Sequence, residues 1–287
     1  MKLAALALVL VPTVAFADDT YTGGSGGGGS GGLNTYTISD AGTAIWSPQL
    51  IRNPATLNKS GIEVFGSFAI SRVTHPATMM GGMDTVTTEE GLMVGGAYGI
   101  TDRITGGLTY TMVVHDPSGA FPGDAKGPLD VYGGYNIKHK TKYSLSAGAD
   151  FAINVGNTDQ LAINLGASFK YYLSDQLAVY TGNILPAGPV GQQLTIGLGD
   201  KDPIALRVPA GIAFQITPMF FAYLETQLFD VHFHNGNSGV IFADFIPVTL
   251  GVFYHAATNL DVGVSFGDDF KNAGDAYAIA LTALVHL

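Results

Sequence analysis

The sequence predicts an all-β chain that forms a transmembrane, antiparallel up-and-down β-barrel of about 12 strands. Three observations carry that expectation. From Tyr277 to Leu287 one parity (Tyr277, Ile279, Leu281, Ala283, Val285, Leu287) is wholly apolar, and the other (Ala278, Ala280, Thr282, Leu284, His286) is small or mixed. A final strand with that pattern has an oily face and no later element to cover it, which suits a closing strand that faces lipid. The same alternation runs through most of the chain from residue 61 onward. Finally, 47% of residues are hydrophobic and only 13% charged, yet beyond the N-terminus no stretch approaches the roughly 18 apolar residues of a membrane helix.

The elements follow in chain order. Lys2, the apolar run Leu3 to Val11, and Ala15-Phe16-Ala17 before Asp18-Asp19 stand in the order of a secretory signal, so residues 1–17 are read as a removable signal peptide. The alternative, a short anchoring helix, is too brief to cross a bilayer comfortably. Position 18 is not cysteine, which argues against a lipid-anchored lipoprotein. Residues 18–60 are a Gly-rich tether followed by a periplasmic or plug segment. Residues 23–32 are eight glycines and two serines, a flexible tract with no side chains to bury. Residues 33–60 scatter Leu33, Ile45, Trp46, Leu50, Ile51 and Leu57 among prolines and asparagines without a sustained period.

The barrel is expected over 61–287. Its crossing segments are 61–73, 88–100, 103–115, 126–138, 141–154, 161–173, 176–183, 203–217, 219–231, 240–255, 259–267 and 276–287, most of them reaching the roughly 9 to 11 residues that a tilted strand needs. Their apolar parity reads, for example, Ile62, Val64, Phe68, Ile70; Leu92, Val94, Tyr98, Ile100; Ile104, Leu108, Tyr110, Met112; Leu250, Val252, Tyr254. The seventh segment is the weakest and the ninth has ambiguous parity. Short turns such as Thr101-Asp102-Arg103 and Thr217-Pro218-Met219 alternate with longer Gly/Pro/Asp-rich stretches. By the usual orientation of bacterial barrels, 74–87, 116–125, 155–160, 184–202, 232–239 and 268–275 should face the exterior.

A soluble β-sandwich would carry Lys, Glu, Arg and Thr on its water-facing parity. Here that parity is Gly, Ala, Ser and Thr, as in Thr105, Gly107, Thr109 and Thr111, which suits the concave inside of a cylinder. Aromatic residues at segment ends (Tyr98, Tyr135, Tyr143, Tyr171, Phe220, Tyr254, Phe266, Tyr277) fit interfacial girdles, with ordinary core packing as the plainer reading. The absence of cysteine excludes disulfides, thiolate metal sites and cysteine nucleophiles, and a net charge of −10 argues against a nucleic-acid partner.

On these residues, and on the terminal Tyr277-x-Ile279-x-Leu281-x-Ala283-x-Val285-x-Leu287 pattern, residues 61–287 resemble the broad class of Gram-negative outer-membrane porin-like barrels. The resemblance implies an outer-membrane location, contact with lipid and lipopolysaccharide, and recognition of the last strand by the barrel-assembly machinery. One departure is that the family usually ends in Phe or Trp, whereas this chain ends in Leu287.

Function is sought in the lumen. About twelve strands fall between barrels filled by side chains and open porins. The inward parity is short and polar, with glycines (Gly91, Gly95, Gly107, Gly134, Gly148, Gly166, Gly211, Gly251, Gly263) expected to widen the bore. A narrow water-filled passage for small polar solutes or ions is the first expectation, and no cofactor is implied. Its selectivity candidates are Glu63, Asp130, Asp150, Lys170, Arg207, Glu225 and Asp261, whose excess of carboxylates predicts weak cation preference. The alternative is that these groups are paired across strands in a plugged lumen.

Arg52-Asn53-Pro54-Ala55 is also similar to the Asn-Pro-Ala stretch before the first strand of the fatty-acid and hydrocarbon transport barrels, whose N-terminal segment forms a hatch. That likeness implies a channel for apolar molecules, and would gain support if residues 33–60 lay inside the cylinder. A barrel enzyme of lipase or protease type would use His115, His232 or His234 with Ser118, Ser238, Asp116 or Asp230, but no nucleophile motif is present and catalysis is not expected. A surface adhesin or scaffold is a further alternative. Asp230, His232 and His234 share one strand face and form a weak candidate metal site, with loop-edge polar residues as the plainer reading. Asp268, Asp269 and Asp275 are weighed likewise as calcium ligands or solvated loop acids.

Overall fold

The computed structural model describes residues 50–52, 56–57, 59–75, 85–115, 127–154, 161–182, 193–198, 204–233, 240–242, 246–270 and 276–287. Beyond a 3-10 turn at Leu50–Arg52, all of its elements are strands: β1 (Ile62–His75), β2 (Thr85–Thr101), β3 (Ile104–His115), β4 (Pro128–His139), β5 (Tyr143–Asn154), β6 (Leu161–Tyr172), β7 (Leu177–Thr181), β8 (Leu194–Leu198), β9 (Ile204–Thr217), β10 (Phe220–Phe233), β11 (Val240–Phe242), β12 (Pro247–Ala257), β13 (Leu260–Asp269) and β14 (Ala276–His286). All pairings are antiparallel, and β14 pairs with β1 along eleven residues from Glu63↔His286 to Val73↔Ala276, closing the cylinder. The two ends of the barrel chain meet there. Ile62 and Leu287 exchange both backbone hydrogen bonds, at 3.1 and 2.8 Å.

Twelve positions make up the wall. β7 and β8 share one of them, because β6 pairs with β7 through Phe169–Tyr172 and with β8 through Leu161–Leu165. β9 meets the same two pieces on the other side. β11 is an extra short strand that pairs with the end of β10. Period-two alternation sets the faces. Val64, Val94, Leu108, Val131, Ile212, Leu250, Val264 and Leu281 are all exposed on the outside, Leu108 at 54% and Leu281 at 58%, whereas their strand neighbours Glu63, Thr109, Ala213, Ser265 and Ala280 are buried inside. Exposed apolar residues at alternate positions of so many strands are tolerable only in lipid. Tyr98, Tyr135, Tyr171, Phe220 and Tyr254 are exposed on this outer face near the short-turn end, and Phe266 stacks with Tyr277 toward the other end.

The short turns are closed by the hydroxyls that begin them. Thr101 Oγ1 accepts from the amides of Arg103 and Ile104, and Thr217 Oγ1 does the same for Met219 and Phe220. Such side-chain bonds favour the turn before the ladder forms.

Two expectations are corrected. The seventh segment does not cross alone, and 184–202 is not one exterior loop: Leu194–Leu198 is β8, the outer half of the same crossing. Likewise 240–255 is not one strand but β11 and β12, separated by residues 243–246. At the junction of β7 and β8 the wall is mended by side chains. The Gln193 amide takes the place of a strand residue, Oε1 accepting from Ala167 N and Nε2 donating to Ala167 O. Gly182 sits at φ 74, where a Cβ would press on the Ala167 carbonyl oxygen. Opposite, Pro209 has no N–H to satisfy, and its carbonyl accepts from Thr181 Oγ1.

Candidate functional site: the lumen and its short-turn mouth

The inward wall has two regions. In the half away from the short turns it carries paired polar groups. Thr109 Oγ1 donates to Asp130 Oδ2 at 2.8 Å, and Asn164 Nδ2 donates to Asp150 Oδ2 at 2.7 Å. Arg207 Nε lies 3.5 Å from Asp230 Oδ2, and His232 Nε2 lies 3.0 Å from Asp230 Oδ1. Deeper in, Ser67 and Thr282 share a hydrogen bond of 3.0 Å across β1 and β14. Asn164 Oδ1 in this half, Gln227 Nε2 near the middle of β10, and Asn136 Oδ1 and Ser146 Oγ in the half toward the short turns are buried without a hydrogen-bond partner among the described residues. Buried polar groups in that state are costly unless a solute or water meets them.

The half toward the short turns is apolar at its centre. Phe65, Tyr132, Tyr172, Tyr180, Phe221, Tyr223 and Phe253 project inward and form one buried cluster with Leu50, Ile51 and Leu57 of the N-terminal segment. Five of these rings lie directly opposite a glycine on the neighbouring strand: Phe65 on Gly95, Tyr132 on Gly107, Tyr180 on Gly211, Tyr223 on Gly251 and Phe253 on Gly263. A Cβ at any of the five glycines would stand 2.1 to 2.5 Å from a ring atom. The expectation that these glycines widen the bore is therefore corrected. Each is a seat that lets a ring lie flat on the wall, the cross-strand aromatic–glycine pairing known from designed sheets.

Of the N-terminal segment, Leu50, Ile51 and Leu57 lie inside the cylinder at this end, while residues 33–49 are outside the described residues. Ile51 N donates to Gln215 Oε1 of β9 at 3.3 Å, and Leu57 N donates to Thr105 Oγ1 of β3 at 2.6 Å. Both acceptors are inward-facing and within two residues of a short turn. Since β3 and β9 are five wall positions apart in a ring of twelve, Ile51 and Leu57 are anchored on nearly opposite sides of the mouth. Leu50, Ile51 and Leu57 are at most 2% exposed.

At the seam, β12, β13, β14 and β1 contribute His255, Asp261, His286 and Glu63 to one buried chain of charge. His255 Nδ1 is 2.7 Å from Asp261 Oδ1, His286 Nε2 is 2.8 Å from Asp261 Oδ2, and His286 Nδ1 is 2.8 Å from Glu63 Oε2.

All seven selectivity candidates face inward. The fold does not gather them into one ring: Asp130, Asp150 and Arg207 lie toward the long-loop end, Lys170 and Glu225 lie nearer the short turns, and Glu63 and Asp261 belong to the seam chain. Lys170 is 1% exposed, and Glu225 lies beside the Tyr180 hydroxyl. Of the weak metal candidates, Asp230 meets both His232 and Arg207, while His234 lies outside the described residues. Among the described residues no group of three His, Asp or Glu side chains is arranged to hold an ion. Asp116, Ser118 and Ser238 also lie outside the described residues, as does Asp275. Asp269 Oδ1 accepts from Ile246 N at 2.9 Å and so closes the wall rather than a loop.

Sequence reasoning missed the aromatic lining and the roles of His255 and His286. Their signal was present in the inward parity of β12 and β14, but their partners come from strands far along the chain.

No family model matches the chain, and no curated protein sequence matches it. Solved structures do match in fold. The COG4313 outer membrane channel from Pseudomonas putida F1 is 12% identical with a TM-score of 0.59, over 81% of this chain and 97% of that one. The NanC porin is 8% identical with a TM-score of 0.47, over 78% and 98%. The KdgM porin is 9% identical with a TM-score of 0.46, over 77% and 98%. The first likeness establishes the outer-membrane barrel fold.

Proposed function

We propose that this protein is an outer-membrane channel for passive diffusion of small polar solutes or ions, with a weak preference for cations, whose periplasmic mouth is stopped by its own N-terminal segment in the conformation described. The observation that carries the reading is a set of buried inward polar atoms, Asn136 Oδ1, Ser146 Oγ, Asn164 Oδ1 and Gln227 Nε2, each without a hydrogen-bond partner among the described residues. Groups of that kind suit a hydrated bore. The sign of the preference follows from count: the half away from the short turns holds Asp130, Asp150 and Asp230 against Arg207 and His232, an excess of carboxylate. The likeness to an outer membrane channel supports the location, with residues 1–17 as the export signal and the last strand as the address for the assembly machinery.

Planar-bilayer recording tests the reading. Protein lacking residues 18–57 should conduct more than the full mature chain, and Asp130→Asn with Asp150→Asn should shift the reversal potential in a salt gradient toward zero. Absence of conductance from both forms would remove the open-pore reading.

A second reading, a channel for apolar small molecules, is favoured by one observation. Leu50, Ile51 and Leu57 lie inside the cylinder against a lining of seven aromatic rings, where an apolar solute would also be comfortable. Flux of an uncharged aromatic solute into proteoliposomes, faster than that of a sugar of equal size, would favour it.

A further inference from the structure

The four-residue chain at the seam has no part in the passage of solute as described above, and its geometry constrains its protonation. Both ring nitrogens of His286 lie 2.8 Å from carboxylate oxygens, Nε2 from Asp261 and Nδ1 from Glu63. A neutral imidazole has a single N–H, so it can attract only one of two ionised carboxylates and turns a lone pair toward the other. Both contacts are favourable together only when the ring is imidazolium or one carboxyl carries the proton. The chain is thus held by a proton at a position sealed from bulk water, with the His286 side chain 1% exposed and that of Glu63 at 0%.

Its position links the seam to the mouth. Glu63 and Phe65 share the inward face of β1, and His286 and Leu284 share that of β14. Phe65 and Leu284 belong to the apolar cluster that holds Leu50, Ile51 and Leu57. The N-terminal segment runs into β1 through Ser60, whose φ is 68, and Ser60 N donates to Gly99 O at 2.8 Å. Any splay of β1 from β14 therefore moves the rim on which the segment rests. The charged groups facing this chain from the packed strands are Asp261 on β13, His255 on β12 and Glu63 on β1. Lys59, Asp102 and Arg103 at the same end are exposed.

We propose that Glu63, His286, Asp261 and His255 form a proton-held latch that ties the last strand to the first and keeps the N-terminal segment seated in the periplasmic mouth, so that removal of the proton unseats the segment. The proposal rests on the mouth being stopped by that segment, and its test reads seating apart from conductance. The chain has no cysteine, so Leu57→Cys with Thr105→Cys gives a reporter of the docked segment; the pair gives up the Leu57 N–Thr105 Oγ1 bond in every background alike, so yields are compared between backgrounds that all carry it. Folded protein, verified by heat-modifiable gel mobility, is treated with an oxidant across a pH series. The pH profile of a Leu108→Cys with Val131→Cys pair, held together by strand register, corrects for thiol ionisation.

The expected result is a crosslinking yield that is highest at neutral pH and falls several-fold on the alkaline side. In the His286→Gln background yield is already low at neutral pH and flat across the series. Glu63→Gln, whose amide N–H can donate to the lone pair on Nδ1 of a neutral ring, should retain crosslinking further into the alkaline range. Equal yields and equal pH profiles for the parent and His286→Gln would overturn the latch. Should crosslinking behave as expected while conductance stays absent throughout, the latch stands and the channel reading fails.

Discussion

Replacing Gly251 by alanine probes the lining of the lumen directly. The new Cβ would stand 2.1 Å from Tyr223 Cε1 and 2.3 Å from its Cζ, where carbon atoms ordinarily rest about 3.5 to 4.0 Å apart. The ring must retreat by well over an ångström. It has little room, since Tyr223 packs on Phe221 with centroids 6.2 Å apart and on Phe253 with centroids 6.5 Å apart. Overpacking of this kind costs about 1–3 kcal/mol. Gly91→Ala is the control, because its Cβ would find Met112 O at 3.7 Å, an ordinary contact. The assay is urea unfolding of protein in lipid vesicles, read by gel mobility, for Gly251→Ala, Tyr223→Ala and the double variant. Gly251→Ala should be destabilising with the ring present and close to neutral once Tyr223 is alanine. Equal cost in both backgrounds, or equal cost at Gly91, would refute the ring-seat argument.

Other outcomes follow from the same structure. Gln193→Ala strips both partners from the Ala167 backbone at the β7–β8 junction, and each unsatisfied group should cost about 1–3 kcal/mol, visible as a lower urea midpoint. Leu250→Arg places a cation on the lipid face and should cost about 2–4 kcal/mol if the site is near the bilayer midplane, while Thr249→Arg on the lumen side should change conductance more than stability. Ile51→Asp puts a charge into the apolar cluster at the mouth, and single-channel recordings should show a larger open fraction than the parent. Thr105→Val removes the acceptor for Leu57 N and should act in the same direction, more weakly.

Much of the fold was legible because lipid exposure imposes a rule on every second residue. Val64, Leu108, Val131 and Leu281 had to be apolar, and their inward neighbours had no such obligation. The threonines that open the short turns were readable for local reasons, since Thr101 and Thr217 satisfy amides two and three residues on. What remained hidden needed register. Tyr132 on an inward parity is unremarkable until Gly107 of β3 is found opposite it, and one strand's pattern does not contain its partner. Glu63 and His286 meet only because the cylinder closes. β8 was obscured by the Gly/Pro-rich residues between it and β7, which read as one long loop and hid half a crossing.

The site was legible in the same uneven way. All seven charged candidates face inward because parity determines face. Which of them pair was not readable, because Asp261 meets His255 and His286 through strands on either side of it.

A depth-quenching scan of β3 tests the account most directly. In the cysteine-free chain, single cysteines at 104 to 111 carry a small fluorophore, and the protein is reconstituted with brominated lipid. Strong quenching at 104, 106, 108 and 110 with weak quenching at 105, 107, 109 and 111 is the expected result. Quenching that ignores parity, or favours the odd positions, would contradict a wall with lipid on one side and a lumen on the other.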